Sequence, residues 1–125
     1  MKLHTENIEK IAYMGKLYLK IHNLNDWKIE FGDFIDSIAC CYWYDKKIMV
    51  SNQFSLVMDM DFMRGVVLHE VAHALQPVSS RVKPHGKVFK KIARDIGGNP
   101  LAHIPISNRD LKKVKSLYEK SLKGK

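Results

Sequence analysis

Cysteine, proline and long apolar runs are all scarce in this chain. Its 125 residues include two cysteines and four prolines. Cys40 and Cys41 are adjacent, and neighbours on a strand point to opposite faces. They therefore make no disulfide framework, and two cysteines cannot build a four-cysteine zinc ribbon. That usage predicts a reducing, cytoplasmic compartment. No apolar run approaches the ~18–20 residues of a membrane span. The opening MKLHTENIEK also lacks the continuous apolar stretch of a secretory signal, so no membrane partner is expected.

What is present suits a folded domain. A hydrophobic share of 46% with 27% charged residues excludes a disordered or collagen-like chain. The length predicts one domain over residues 1–125, large enough to bury a core without staples. Nothing in the apolar pattern demands a dimer, so a monomer is expected.

The net charge of +8 is unevenly spread. Residues 1–80 carry eight Lys/Arg against ten Asp/Glu, residues 81–95 six against one, and residues 109–125 seven against two. A basic half on a near-neutral body fits a polyanion partner such as DNA. Arg81, Lys83, Lys87, Lys90, Lys91 and Arg94 are the candidate contacts, and a solvated lysine face is the plainer alternative.

Ile8, Ile11, Ala12, Gly15, Tyr18, Leu19 and His22 fall at helical spacing after Thr5, a candidate N-cap. Trp27–Phe31 alternates at period two, and residues 38–44 and Ile48–Ser51 read as two further strands. Three short strands in succession predict an antiparallel β-meander. From Asp59 or Asp61 the period becomes helical and runs to Gln76, with Pro77 as the stop. After a loop over 77–85, a helix keeps Val88, Phe89, Ile92, Ala93 and Ile96 inward. Gly97 or Gly98 suits its left-handed cap. Ser107 and Asp110 look like a capping pair for a last helix bearing Leu111, Val114, Leu117 and Tyr118. The expected fold is α+β, with a core over 1–106 and a basic C-terminal helix over 107–125.

The chemistry sits at Leu68-His69-Glu70-Val71-Ala72-His73. One helical turn puts His69 and His73 on the same face, ~5–6 Å apart at Cβ. Both imidazoles can then reach one zinc ion at ~2.0–2.1 Å. Glu70 is rotated from that pair, where a carboxylate can act as general base on a water without binding the metal. A catalytic zinc needs a third protein ligand. Gln76 and Ser79 stand where a metzincin would have its glycine and third histidine, so that extension is absent. His85, in Lys83-Pro84-His85-Gly86 directly before the next helix, is the best candidate. The eleven intervening residues are enough to bring it back over the first helix. His4 and His22 read as structural, whereas His103 could stand beside the site and stabilise an oxyanion.

His69-Glu70-Val71-Ala72-His73-Ala74, then His85-Gly86-x-x-Phe89, Ile92-Ala93 and Ile96-Gly97, resembles the SprT-like zinc metallopeptidase family. That family includes the Spartan proteases, which degrade proteins crosslinked to DNA. The likeness covers most of residues 5–97 and is specific over 69–97. It implies a zincin-like minimal core with one Zn²⁺ on His69, His73 and His85, and Glu70 as catalytic base. It further implies a substrate strand along the sheet edge. By its place before the active helix, Ile48, Met49, Val50 and Ser51 form the nominated edge. Many members carry a C-terminal cysteine ribbon, and here a lysine-rich helix stands instead. The likeness is thus to a minimal member, bacterial or phage-borne.

Two functions follow as expectations. One is zinc-dependent hydrolysis of protein or peptide substrates, with DNA as associate or stimulant. The other is a basic nucleic-acid-binding module whose zinc site is structural or idle.

Overall fold

A computed structural model describes residues 2–124. The order is α1 (Asn7–Ile21), β1 (Lys28–Gly32), β2 (Ala39–Tyr42), β3 (Lys47–Ser51), α2 (Asn52–Val57), α3 (Met60–Leu75), α4 (Lys87–Ile96) and α5 (Asn108–Lys123), with a short 3-10 turn at Val78–Ser80. The α+β class matches expectation. Among the described residues no helix is long and apolar enough to cross a membrane.

The sheet departs from the expected meander. Its order is β1-β3-β2, with β1 parallel to β3 and β2 antiparallel to β3. A tight turn joins β2 to β3, with Lys46 in the left-handed region at φ 51°. That hairpin inserts β3 between the other two strands. Residues 33–46 thereby serve as the crossover that a parallel pair requires. Burial explains the choice. Ile48 and Val50 are fully buried on β3, whereas β1 alternates exposed and half-buried residues. The strand with the most apolar surface takes the centre.

This order removes the nominated substrate edge. Ile48, Met49, Val50 and Ser51 lie on the central strand, paired on both sides. Ser51 is moreover committed to the next element. Its hydroxyl accepts from Phe54 N and donates to Phe34 O, capping α2. The free edges of the sheet belong to β1 and β2.

Helix ends follow local chemistry. Asp59 caps α3 by accepting from Phe62 N, and Ser107 caps α5 by accepting from Asp110 N. Gly97 ends α4 at φ 85°, as the left-handed cap requires. Thr5 is not the N-cap of α1: Glu6 holds that position and makes no side-chain cap bond. Six-residue α2 was not anticipated, being too short to show a period.

α3 is buried over every residue from Val66 to Ala74, as a helix that is apolar on all sides must be. The main core joins Ile11 and Leu19 of α1, Ile48 and Val50 of β3, Phe54 of α2, Met63, Val67 and Val71 of α3, and Val114 of α5. A second cluster of Ala72, Phe89 and Ala93 seats α4 on α3. That seat brings the turn before α4 to the histidine face of α3.

Candidate metal centre

His69, His73 and His85 come together with their ligand atoms all within 4.8 Å of one another. His73 Nε2 and His85 Nε2 are 3.0 Å apart. Nitrogens bound tetrahedrally at ~2.0–2.1 Å from one ion lie about 3.3 Å apart, so the spacing suits a shared cation. On His69 and His73 the other ring nitrogen is already engaged. His69 Nδ1 donates to Asn99 O at 2.7 Å, and His73 Nδ1 donates to Gln76 Oε1 at 2.9 Å. Each bond fixes the tautomer that leaves Nε2 with its lone pair. The three residues can therefore hold a metal ion.

Phe89 sets the ring geometry from below. It is fully buried, stacks on the His73 ring at 4.1 Å and meets His69 and His85 edge-on at 4.8 and 5.1 Å. Burial pushes the His73 imidazole down to about 4, against the opposing pull of its bond to Gln76. Burial also lowers His69 and His85. All three favour the neutral form that a ligand must have.

Glu70 is buried, with Oε2 3.9 Å from His69 Nε2. Its burial pushes the carboxyl up to about 8. Cys41 faces the same cavity, and burial followed by the Glu70 charge drives its thiol far upward. Without a metal that thiol stays protonated at neutral pH.

Sequence reasoning missed the supports. Gln76 is buried, and its own carbonyl accepts from Arg81 Nε at 3.2 Å. The Arg81 guanidinium lies 4.9 Å from the Trp43 ring centre, and Trp43 Nε1 donates to His73 O at 2.6 Å. The loop carrying His85 is thus tied to the β2–β3 hairpin and to the end of α3. A lone uncharged amide at the end of an apolar helix was the available signal for Gln76. Asn99 acts through its carbonyl, which leaves no sequence signal.

Two cavities open beside Glu70. One, of about 300 Å³, touches all three histidines together with Cys41, Trp43 and Pro84. The other, of about 280 Å³, touches His69 and Glu70 but neither His73 nor His85, and His103 lines it. Both border Ala39 of β2, so the free edge nearest the site is β2.

The basic residues divide. Lys87, Lys90, Lys91 and Arg94 recur at three- and four-residue spacing on the exposed side of α4, with Lys91 paired to Asp95 at 3.1 Å. Lys83 is exposed in the preceding loop. Arg81 is half-buried against Trp43 and is spent on structure.

The SprT-like family model matches residues 9–110. The chain belongs to the SprT-like family. Among curated proteins none matches this SprT-like chain. Among solved structures it is similar to the metallopeptidase zymogen jannalysin of Methanocaldococcus jannaschii. The TM-score is 0.52 at 17% identity, over 92% of this chain and 96% of that one. At that identity the likeness is one of fold.

Proposed function

We propose that this SprT-like chain is a zinc-dependent hydrolase of peptide bonds, with His69, His73 and His85 holding one ion and Glu70 as general base. The convergence of three imidazoles within 4.8 Å beside a buried carboxyl carries the reading. Membership of the family and the fold shared with a metallopeptidase support it. Imidazole donors suit zinc, and on His69 and His73 the second nitrogen is already bonded. Zinc held there supplies Lewis acidity, lowering the pKa of a water and polarising the scissile carbonyl.

The chain's own groups do the rest. Glu70 accepts the water's proton on a carboxylate oxygen and later delivers it to the departing amine nitrogen. A cation among the imidazoles favours the ionised carboxyl and offsets the effect of burial. An extended substrate pairs its main chain with the free edge of β2, the role expected of a sheet edge. Elemental analysis of chelator-free protein tests the reading. About one zinc per chain is expected, retained in Glu70→Gln and lost in His85→Ala. Cleavage of a disordered protein should vanish in both variants. Undiminished cleavage by Glu70→Gln overturns the mechanism.

A second property is favoured by the row of Lys87, Lys90, Lys91 and Arg94 beginning two residues after His85. We infer that this side of α4 faces nucleic acid. Each phosphate neutralised adds about −0.9 to the log–log salt slope on duplex DNA. Reversing Lys87 and Lys90 should flatten that slope by about two such steps. No binding at ~50 mM salt ends this idea and leaves the hydrolase reading intact.

A further inference from the structure

We propose that the groove between α1 and the free edge of β1 docks an extended acidic segment of a partner protein. The segment adds to the sheet as a fourth strand and sets a bulky apolar side chain in the groove. The site is separate from the metal centre, and the proposal does not rest on the hydrolase reading. None of the residues lining this groove lines the cavities beside Glu70, and β3 stands between the two edges of the sheet.

The groove holds about 480 Å³, and apolar atoms make most of its wall. They come from Leu19 of α1, from Leu24 and Trp27 of the connecting turn, and from Ile29 of β1. Ile29 closes the base against Gly15, where an added Cβ would strike Ile29 Cδ1. Local bonds fix the turn. Leu24 N donates to Leu19 O at 2.8 Å and Trp27 N to Leu24 O at 3.1 Å, with Asn23 in the left-handed region at φ 60°. A groove built before binding needs little ordering when it is filled. The strand beside it has main-chain groups to offer. Lys28 N donates to Lys46 O, toward the β3 side, and alternation along the strand then turns the N–H and C=O of Ile29 and Phe31 outward. An unpaired edge of this kind is a template for another strand.

Charge selects the occupant. Lys16 and Lys20 stand one turn apart on the α1 rim of the groove, and Lys28 opens β1. Among the described residues no carboxylate forms an ion pair with any of the three. Glu30, the one acid lining the groove, is paired with Lys47 of β3 at 3.6 Å. Lys28 alone would serve to guard an edge against aggregation, as lysine commonly does. Lys16 and Lys20 lie on the helix, where there is no strand edge to guard. A second copy docking through the same edge would set these lysines against their own equivalents. A nucleic acid satisfies the lysines but brings no amide main chain to match Ile29 and Phe31. A peptide with leucine or phenylalanine between aspartates and glutamates meets the edge, the groove and the lysines together.

The test titrates full-length protein with a labelled peptide in which leucine alternates with glutamate and aspartate, alongside a labelled oligothymidylate. Fluorescence anisotropy should show saturable peptide binding that weakens with salt. Combining Lys16→Glu with Lys20→Glu should weaken it by roughly tenfold or more, the loss expected when two exposed ion pairs become repulsions. Both lysines are exposed, so the double variant should fold as wild type does. Serine in place of the peptide's leucines should cost a similar factor, of about tenfold. Hydrogen exchange on wild-type protein reads the added strand directly, because the peptide should slow the amides of Ile29 and Phe31. No peptide binding at low salt, equal binding by the double variant, or protection confined to Ala39–Tyr42 of β2 overturns the proposal. Oligothymidylate bound at these lysines in the peptide's place also overturns it and assigns the groove to nucleic acid. Protection of Ile29 and Phe31 that grows with protein concentration alone does so too, in favour of a second copy. The hydrolase reading stands in every case.

Discussion

His73 and Gln76 are joined by a bond from Nδ1 to Oε1 at 2.9 Å, three residues apart at the end of one helix. The amide is held from its other side. Gln76 Nε2 points to Ser80 O and Ser80 Oγ at 3.4 Å, and Gln76 O accepts from Arg81. The side chain that orients the imidazole is therefore itself oriented by the loop leading to His85.

Gln76→Ala should weaken zinc binding 10–100-fold, the usual effect of removing a partner that orients a ligand. Competition with a chromogenic chelator measures it. Gln76→Glu keeps an acceptor facing His73 Nδ1 and should recover much of the affinity. Unchanged affinity in Gln76→Ala would mean that the Phe89 stack alone fixes the ring.

The metal-free protein should respond to pH in a way that separates Glu70 from the histidines. Its carboxyl is held at about 8 by burial, against an ordinary 4.5. The fold binds that proton more tightly than the unfolded chain, so this contribution is whole below pH 4.5 and lost as pH rises through 8. The histidines act in the opposite sense. His73 is pushed from 6.5 to about 4, so its contribution is whole above pH 6.5 and lost as pH falls toward 4. Glu70→Gln removes only the first dependence. In chelator, the variant's Tm should gain on wild type by roughly 4 °C or more between pH 5 and pH 8. A gap that stays constant across that range would show that Glu70 is not desolvated.

The convergence of His69, His73 and His85 was legible because its parts are tied to helical spacing. His69, Glu70 and His73 share one helix, and His85 opens the next with Phe89 one turn on, so one-dimensional distance converts directly to geometry. The sheet order was not legible in that way, because alternation reports which face of a strand is buried and not which strand lies beside it. Following chain order made Ile48–Ser51 an edge. Yet Lys28 and Glu30 mark β1 as exposed, and Ile48-Met49-Val50-Ser51 carries no charge, which is a central strand's composition. The cations of 81–95 were read as one group because charge counting ignores aromatic neighbours, and Arg81 lies against Trp43.

Gly97 and Gly98 look interchangeable in sequence, yet they do different work. Gly97 supplies the left-handed φ that closes α4. At Gly98 a Cβ would meet Leu68 C at 2.8 Å and both Leu68 O and His69 N at 2.9 Å, all backbone atoms of α3. The bare backbone there lets Asn99 lie against α3, where its N–H donates to Gly65 O at 3.1 Å and its carbonyl accepts from His69 Nδ1. Gly98→Ala should therefore push this strap away, cost about 1–3 kcal/mol of stability and loosen zinc binding with it. Gly97→Ala should cost a similar ~1–2 kcal/mol through strain in the left-handed region and leave zinc affinity near wild type. Thermal melts and zinc competition on the pair separate the two effects. Equal zinc affinity in both variants would show that the Asn99 carbonyl does not position His69.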